Sequence, residues 1–319
     1  MHKKRGIITQ MNKINLFRIF FIIFIFNFTP IISQININDS TVQVIGYWNL
    51  GDKQTYLVSQ EKYKIKGSDT TSRELTTYYV DIVISDSTKE SYIVDWFYHD
   101  FKVQSTNEVI KKLSTLLEEF TIKIKTDEFG VLFEVLNWEE VQKYIYKLTA
   151  KLKEEFKDVP NMNNIISQIE NIYSTKESIT NGTINEIHQF YSFHGGKYKL
   201  HEEIKSEMKI PNLLGGEPFD TEVFVSLDEI NEEDNNSIIR MQQIVNSDQL
   251  TEATFKYLKN LAISTNLPEP KIEEFSKLVN NTWVSSRMHG SGWPIFSIET
   301  KETSTQDIIN VEETIIEIQ

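Results

Sequence analysis

Thr77-Tyr78-Tyr79-Val80-Asp81-Ile82-Val83-Ile84-Ser85 and Tyr92-Ile93-Val94-Asp95-Trp96-Phe97-Tyr98 decide the fold of this chain. In the first stretch Tyr78, Val80, Ile82 and Ile84 alternate with Thr77, Asp81 and Ser85; in the second Tyr92, Val94, Trp96 and Tyr98 keep the same period. Successive side chains of a strand point to opposite faces, so period two reads as two half-buried strands. The polar run Ser85-Asp86-Ser87-Thr88-Lys89 between them makes an antiparallel hairpin.

Further along, Ile122 and Ile124 alternate with Lys123 and Lys125, and Asp127-Glu128-Phe129-Gly130 turns the chain into Val131, Phe133 and Val135, a second hairpin. Between the hairpins Val109, Leu113, Leu116 and Leu117 keep helical spacing over 107–120. The period then changes. Trp138, Val141, Ile145, Leu148, Leu152 and Phe156 form one helical stripe, which Pro160 ends. A second helix carries Ile165, Ile166, Ile169, Ile172 and Tyr173, and a third opens at Thr183 with Glu186 as its capping-box partner, closing at Gly195-Gly196. Strand patterns return over 198–210, 221–230 and 237–245, helices are expected over 250–262 and 272–279, and the chain ends in strands over 283–288, 293–299 and 308–318.

The order of long strand, hairpin, helix, hairpin recurs. Lys64-Ile65 before Thr77-Tyr78-Tyr79-Val80 answers to Lys209-Ile210 before Thr221-Glu222-Val223-Phe224. The expected class is α+β: long antiparallel sheets flanked by amphipathic helices, in two similar halves, 34–180 and 181–319.

Residues 1–33 read differently. Lys3, Lys4, Arg5, Lys13 and Arg18 precede or flank the apolar run 19–26, and Ile31-Ile32-Ser33-Gln34 follows it. This is the order of a signal peptide, with cleavage expected between Ser33 and Gln34 and with Met11 as an alternative start. Asn27, Thr29 and Pro30 leave too few apolar residues for a membrane span. The product is expected to be exported, periplasmic or secreted, and not membrane-spanning after cleavage. With no cysteine in the chain, lipoprotein acylation, disulfides, thiolate metal sites and a cysteine nucleophile are excluded. In a eukaryotic secretory route Asn38, Asn181, Asn235 and Asn280 would be glycan acceptors, although such triplets arise by chance in an Asn-rich chain.

Without 1–33 the net charge falls from −13 to −18, which repels phosphate backbones and makes nucleic acid an unfavoured partner. The stretch 48–101, with its Gly51-Asp52-Lys53 turn and tyrosine-rich strands, and the later Gly292-Trp293-Pro294 turn resemble exported bacterial cell-envelope proteins that carry no agreed activity. More distantly, long antiparallel strands with helices on one face resemble the half-barrels of periplasmic lipoprotein carriers and lipid-binding proteins. Those resemblances imply location and fold rather than chemistry.

Motifs for catalysis are incomplete. His188, His194 and His201 lack metal-site spacing, and surface histidines are the expected reading, with His194, His201 and Glu202 the set that folding could join. His289-Gly290-Ser291-Gly292 fails the nucleophile-elbow pattern and reads as a turn. Ser59 to Lys62 and Ser206 to Lys209 match S-x-x-K without its companions, Gly196-Lys197 lacks the rest of a phosphate loop, and 228–236 lacks the central glycine of a calcium loop. No catalytic residue, metal or cofactor is therefore assigned. Aromatics remain: Trp48, Tyr78, Trp96, Phe97, Tyr98 and Phe101 in the first sheet, Trp283, Trp293 and Phe296 in the last strands. One-sided strand aromatics are mostly core, and Trp96 is the one binding candidate, at a cavity between 92–101 and the helices of 138–173. His99 is expected on the face of Asp95, Phe97 and Phe101. The leading expectation is a non-catalytic protein binding an apolar ligand or a cell-envelope protein; the alternatives are an interaction protein without a cavity and a carboxylate-dependent hydrolase.

Overall fold

Strands β1 (Ile35–Asn36) and β2 (Thr41–Gln43) precede the long strands β3 (Lys53–Lys66), β4 (Asp69–Ser87) and β5 (Ser91–Gln104). Helix α1 (Glu108–Ser114) separates these from β6 (Phe120–Asp127) and β7 (Leu132–Val135), after which come α2 (Trp138–Glu155), α3 (Met162–Ile172), α4 (Lys176–Gly182) and α5 (Asn185–Tyr191). The chain continues through β8 (Lys197–Lys199), β9 (Glu203–Ile210), β10 (Phe219–Asn231), β11 (Asn236–Val245), α6 (Ser247–Thr265), β12 (Val279–His289), β13 (Pro294–Ser304) and β14 (Ile308–Ile318). This computed structural model describes residues 34–158, 162–182, 185–212, 214–265 and 267–319. The expected signal segment, Pro160 and the helix start at Thr183 lie outside the described residues.

Eleven strands form one antiparallel sheet in the order β7-β6-β5-β4-β3-β14-β13-β12-β11-β10-β9. Strands β3 to β7 form one meander and β9 to β14 another, and β14 pairs with β3 to join them, with Ile316 opposite Val58. Within each meander the order is strand, hairpin, helix, hairpin: β3, β4–β5, α1, β6–β7, then β9, β10–β11, α6, β12–β13. A three-stranded sheet, β1-β2-β8, lies apart from the large one.

Alternation buries one face of the large sheet. Tyr56, Val58, Tyr78, Val80, Ile82, Ile84, Val94, Trp96, Tyr98, Ile122 and Ile124 point to it, and Val141 of α2, Ile179 of α4 and Ile187, Phe190 and Tyr191 of α5 pack onto them. A second core joins Leu227, Ile239, Val284 and Met288 to Val42, Val44, Phe193 and Tyr198 of the small sheet and its approach. The antiparallel sheet and the covering helices are thus as the periodicities require. Helices cover only part of that face, however, and the small sheet covers another part.

Four local readings are corrected. The single strand expected over 198–210 is two, β8 and β9, which join different sheets because the chain turns at His201 with φ 62°. The expected helix at 272–279 is a single 3₁₀ turn, Ile272–Glu274, flanked by extended Lys271 and Phe275. Pro268 and Pro270 just before it and the start of β12 at Val279 leave no room for helical hydrogen bonds to propagate. The helix expected over 107–120 stops at Ser114, leaving Phe120 to start β6. Phe101 does not share the face of His99. Asp100 has φ 56°, and Asp100 and Phe101 together oppose Tyr78, a bulge that turns the Phe101 ring onto Tyr78 at 5.2 Å.

The turns read from the sequence also hold the entering strap, residues 44–48. Gly46 N–H donates to Phe129 O (2.9 Å) and Tyr47 N–H to Ser291 O (3.2 Å). Gly292 has φ 82°, and a Cβ there would lie 2.3 Å from Ile45 O. Both strain and clash with backbone act against a side chain, so Gly292→Ala should destabilise by at least ~2 kcal/mol, visible as a fall in thermal midpoint. An unchanged midpoint would show that the strap does not depend on this turn.

Candidate functional site

Helix α5 decides what the covered face of the sheet can hold. It is short, but five of its side chains, Glu186, Ile187, Gln189, Phe190 and Tyr191, are buried. Phe190 stands edge-on to Trp96 (5.1 Å between ring centroids) and to Tyr56 (5.5 Å), and Tyr191 lies 6.1 Å from Trp96. Trp96 is 1% exposed. Its indole nitrogen lies beside the Tyr191 hydroxyl without the geometry of a full hydrogen bond. The binding candidate is therefore enclosed by α5 and by its own strand neighbours. Tyr98 stacks on Phe120 at 4.6 Å, and Phe120 on Tyr144 of α2 at 4.5 Å, so between 92–101 and the helices, where a cavity would have lain, rings interlock.

A polar cluster is built around the same helix. Gln189 Nε2 donates to Ser297 Oγ (3.0 Å) and to Thr314 O (3.2 Å), anchoring α5 to β13 and β14. One turn away Glu186 lies against the hydroxyls of Tyr78 and Tyr98, and Gln60 Nε2 donates to Tyr78 Oη at 3.1 Å. Burial raises the Glu186 carboxyl above the ordinary range, partly offset by hydrogen bonds, and the charge of Glu299 adds to the rise. Burial likewise raises Glu299, while Lys301, 3.0 Å away, pulls it back. Burial, then the Glu186 charge, raises the Tyr78 and Tyr98 hydroxyls. This acid pair was not legible in the sequence. The Glu299 charge reaches Glu186 because Gln189 anchors α5 to β13, and the local hint is that Glu299 falls in the inward phase of its strand, with Ser297.

The histidines separate. His194 is buried among Trp48 (5.5 Å), Tyr191 (5.2 Å) and Phe190 (6.2 Å). Its Nε2–H donates to Gly292 O at 2.8 Å, and Nδ1 has no partner. Burial lowers it to about 4 against the pull of that bond, so the ring is neutral at physiological pH. His188 is half-buried, bonded through Nε2 to Thr180 O (2.9 Å) and lowered by burial. Among the described histidines only His201 is exposed, in a turn with φ 62°. The surface-histidine expectation thus fails for His194, because the segment that carries it is inserted beneath the sheet. No group of three metal-ligating side chains converges among the described residues.

Other motifs resolve into local structure. His289 Nδ1 pairs with Ser291 Oγ at 2.7 Å inside the β12–β13 turn. His99 Nδ1 pairs with Asp100 Oδ2 at 2.8 Å, while Nε2 is 3.9 Å from Asp81. Around the acidic β10–β11 loop Asp234 is bonded to Asn231, and Asp228 of β10 to Arg240, which occupies the would-be calcium ligands. Lys62 pairs with Glu312 and Lys209 with Asp220, away from the serines of their S-x-x-K runs. Open clefts of about 720, 470 and 250 Å³ lie along β9–β13 and beside α6, and Trp96 lines none of them.

No helix among the described residues is long and apolar enough to cross a membrane. Comparison with protein-family models gives no match, and comparison with curated proteins gives none. Among solved structures the chain is similar to Ail, the attachment invasion locus protein of Yersinia pestis, at 6% identity over 84% of this chain and 97% of that one, with a TM-score of 0.16, a likeness too low to assign a fold.

Proposed function

We propose that this is an exported, non-catalytic protein of the cell envelope, periplasmic or secreted, that acts through protein contacts of its large sheet rather than by carrying an apolar ligand. The observation that carries this reading is the seating of α5. A carrier needs a connected apolar void, and Phe190 and Tyr191 occupy the face of the sheet where Trp96 would meet a ligand. The basic, apolar and small-residue order ahead of Gln34 supports export. A hydrolase is disfavoured because Glu186 is only 8% exposed and so has no access to a bulky substrate.

Native mass spectrometry of protein recovered from the extracytoplasmic fraction without detergent tests both parts. The expected species has the mass of a chain starting near Gln34 and no apolar adduct. A co-purified lipid would overturn the non-carrier reading, and full-length protein found only in the cytosol would overturn export.

A further inference from the structure

The two edges of the large sheet are finished differently. At one end β7 is four residues long, and α4 meets it: Val135 N–H donates to Thr180 Oγ1 at 3.3 Å. At the other end β9 is eight residues long, pairs with β10 without a bulge, and is exposed from Glu203 to Lys209. Among the described residues no strand pairs with its outer side, which is a template for another strand. Ile204 and Met208, each 44% exposed, share one face of this edge, and Glu203, Lys205, Glu207 and Lys209 share the other.

Edge charges ordinarily repel an incoming strand, but this set is self-complementary. Centred on Ser206, an antiparallel second copy of β9 places Glu203 against Lys209, Lys205 against Glu207 and Ile204 against Met208. A slip by one position in either direction of the two-fold centre sets Lys205 or Glu207 against its own copy and is repulsive. The existing pairing leaves a need for such a neighbour. Glu207 sits directly opposite Glu222 of β10, a like-charge cross-strand pair, and Lys205 is drawn to Glu222 at 2.6 Å rather than to Glu207. Neither Glu203 nor Glu207 forms an ion pair among the described residues. A second copy brings its own Lys205 to the free side of Glu207.

We infer that β9 is a homodimerisation edge, on which two copies pair antiparallel about Ser206 to form one continuous sheet. The inference deepens the reading that the sheet works through protein contacts by naming the partner as a second copy of this chain. The two stand or fall separately: a bound apolar species would overturn that reading, a monomer this one.

Sedimentation velocity of the full chain over micromolar concentrations should show a reversible dimer. Lys205→Glu and Glu207→Lys should each raise the dimer dissociation constant by ~10-fold or more, because the two-fold repeats every lost pair. Mixed in equal amounts, the two variants should recover the dimer, since Glu at 205 then meets Lys at 207 across the edge and Glu207 meets Lys205. Misfolding of either variant cannot produce that recovery, and far-ultraviolet circular dichroism of each alone confirms its fold. A monomeric wild type would overturn the inference and leave the edge to a strand of a different protein. Wild-type dimers that both variants leave unchanged, or folded variants that do not recover when mixed, would overturn it as well.

Discussion

Trp96→Ala should lower the stability of the protein by ~3–5 kcal/mol, read as a shift in the urea midpoint of intrinsic fluorescence. The indole is 1% exposed and is met by Phe190, Tyr191 and Tyr98, so truncation opens a cavity that three rings fixed by other contacts cannot close. Trp96→Phe should cost far less. The indole nitrogen makes no full hydrogen bond, and a phenyl ring preserves most of the contact with Phe190. The pair of variants separates core from site. A residue lining a ligand cavity would show little stability loss as alanine and a marked loss of bound ligand, so an unmoved urea midpoint would restore Trp96 as a binding residue and reopen the carrier reading.

Acidification should destabilise the protein through His194 by about 3 kcal/mol between pH 6.5 and about 4. The folded ring is lowered by burial to about 4, whereas the unfolded chain takes up a proton near the ordinary histidine value of about 6.5. Above that value the contribution is fully present, since neither state is protonated there. It is lost as the pH falls toward 4, because only the unfolded state gains a proton. His188, also lowered by burial, acts in the same direction. Glu186 and Glu299 act in the opposite direction: their raised folded values mean that acid relieves a penalty they impose at neutral pH. The His194 share is isolated by His194→Gln, which retains an N–H donor for Gly292 O and does not titrate. Urea midpoints measured from pH 7.5 to 4.5 should fall more steeply for the wild type than for this variant. Parallel curves would mean that His194 is accessible and protonates freely in the folded state.

Much of the fold could be read locally. Tyr78 to Ile84 and Tyr92 to Tyr98 became β4 and β5 because period two in strand and period in burial are the same fact of backbone geometry. The stripe from Trp138 to Phe156 became α2 for the equivalent helical reason. Readings failed where a distant partner changed the local outcome. Phe101 has the right alternation for the His99 face, yet the bulge at Asp100 opposite Tyr78 reverses it, and nothing in the residues around Asp100 announces a bulge. His194 looks like any polar residue near a Gly-Gly turn until the sheet closes over it.

Residue patterns alone carried the alternating strands of the two hairpins, the stripe of α2, the turns at Asp127 and Gly292 and the shortage of catalytic motifs, since each depends on side chains within a few residues of one another. Tertiary structure alone decided which strands are neighbours. The last strand pairs with the third, so that β9 is left at an edge, and no periodicity encodes that choice. The assembled fold also placed α5 over the covered face, brought the Glu299 charge within reach of Glu186 and put Trp96 in the core. Phe190 meets Trp96 from 94 positions away, a contact whose formation rests on burying apolar area against the whole sheet, a quantity that belongs to the assembled fold and not to any stretch of chain.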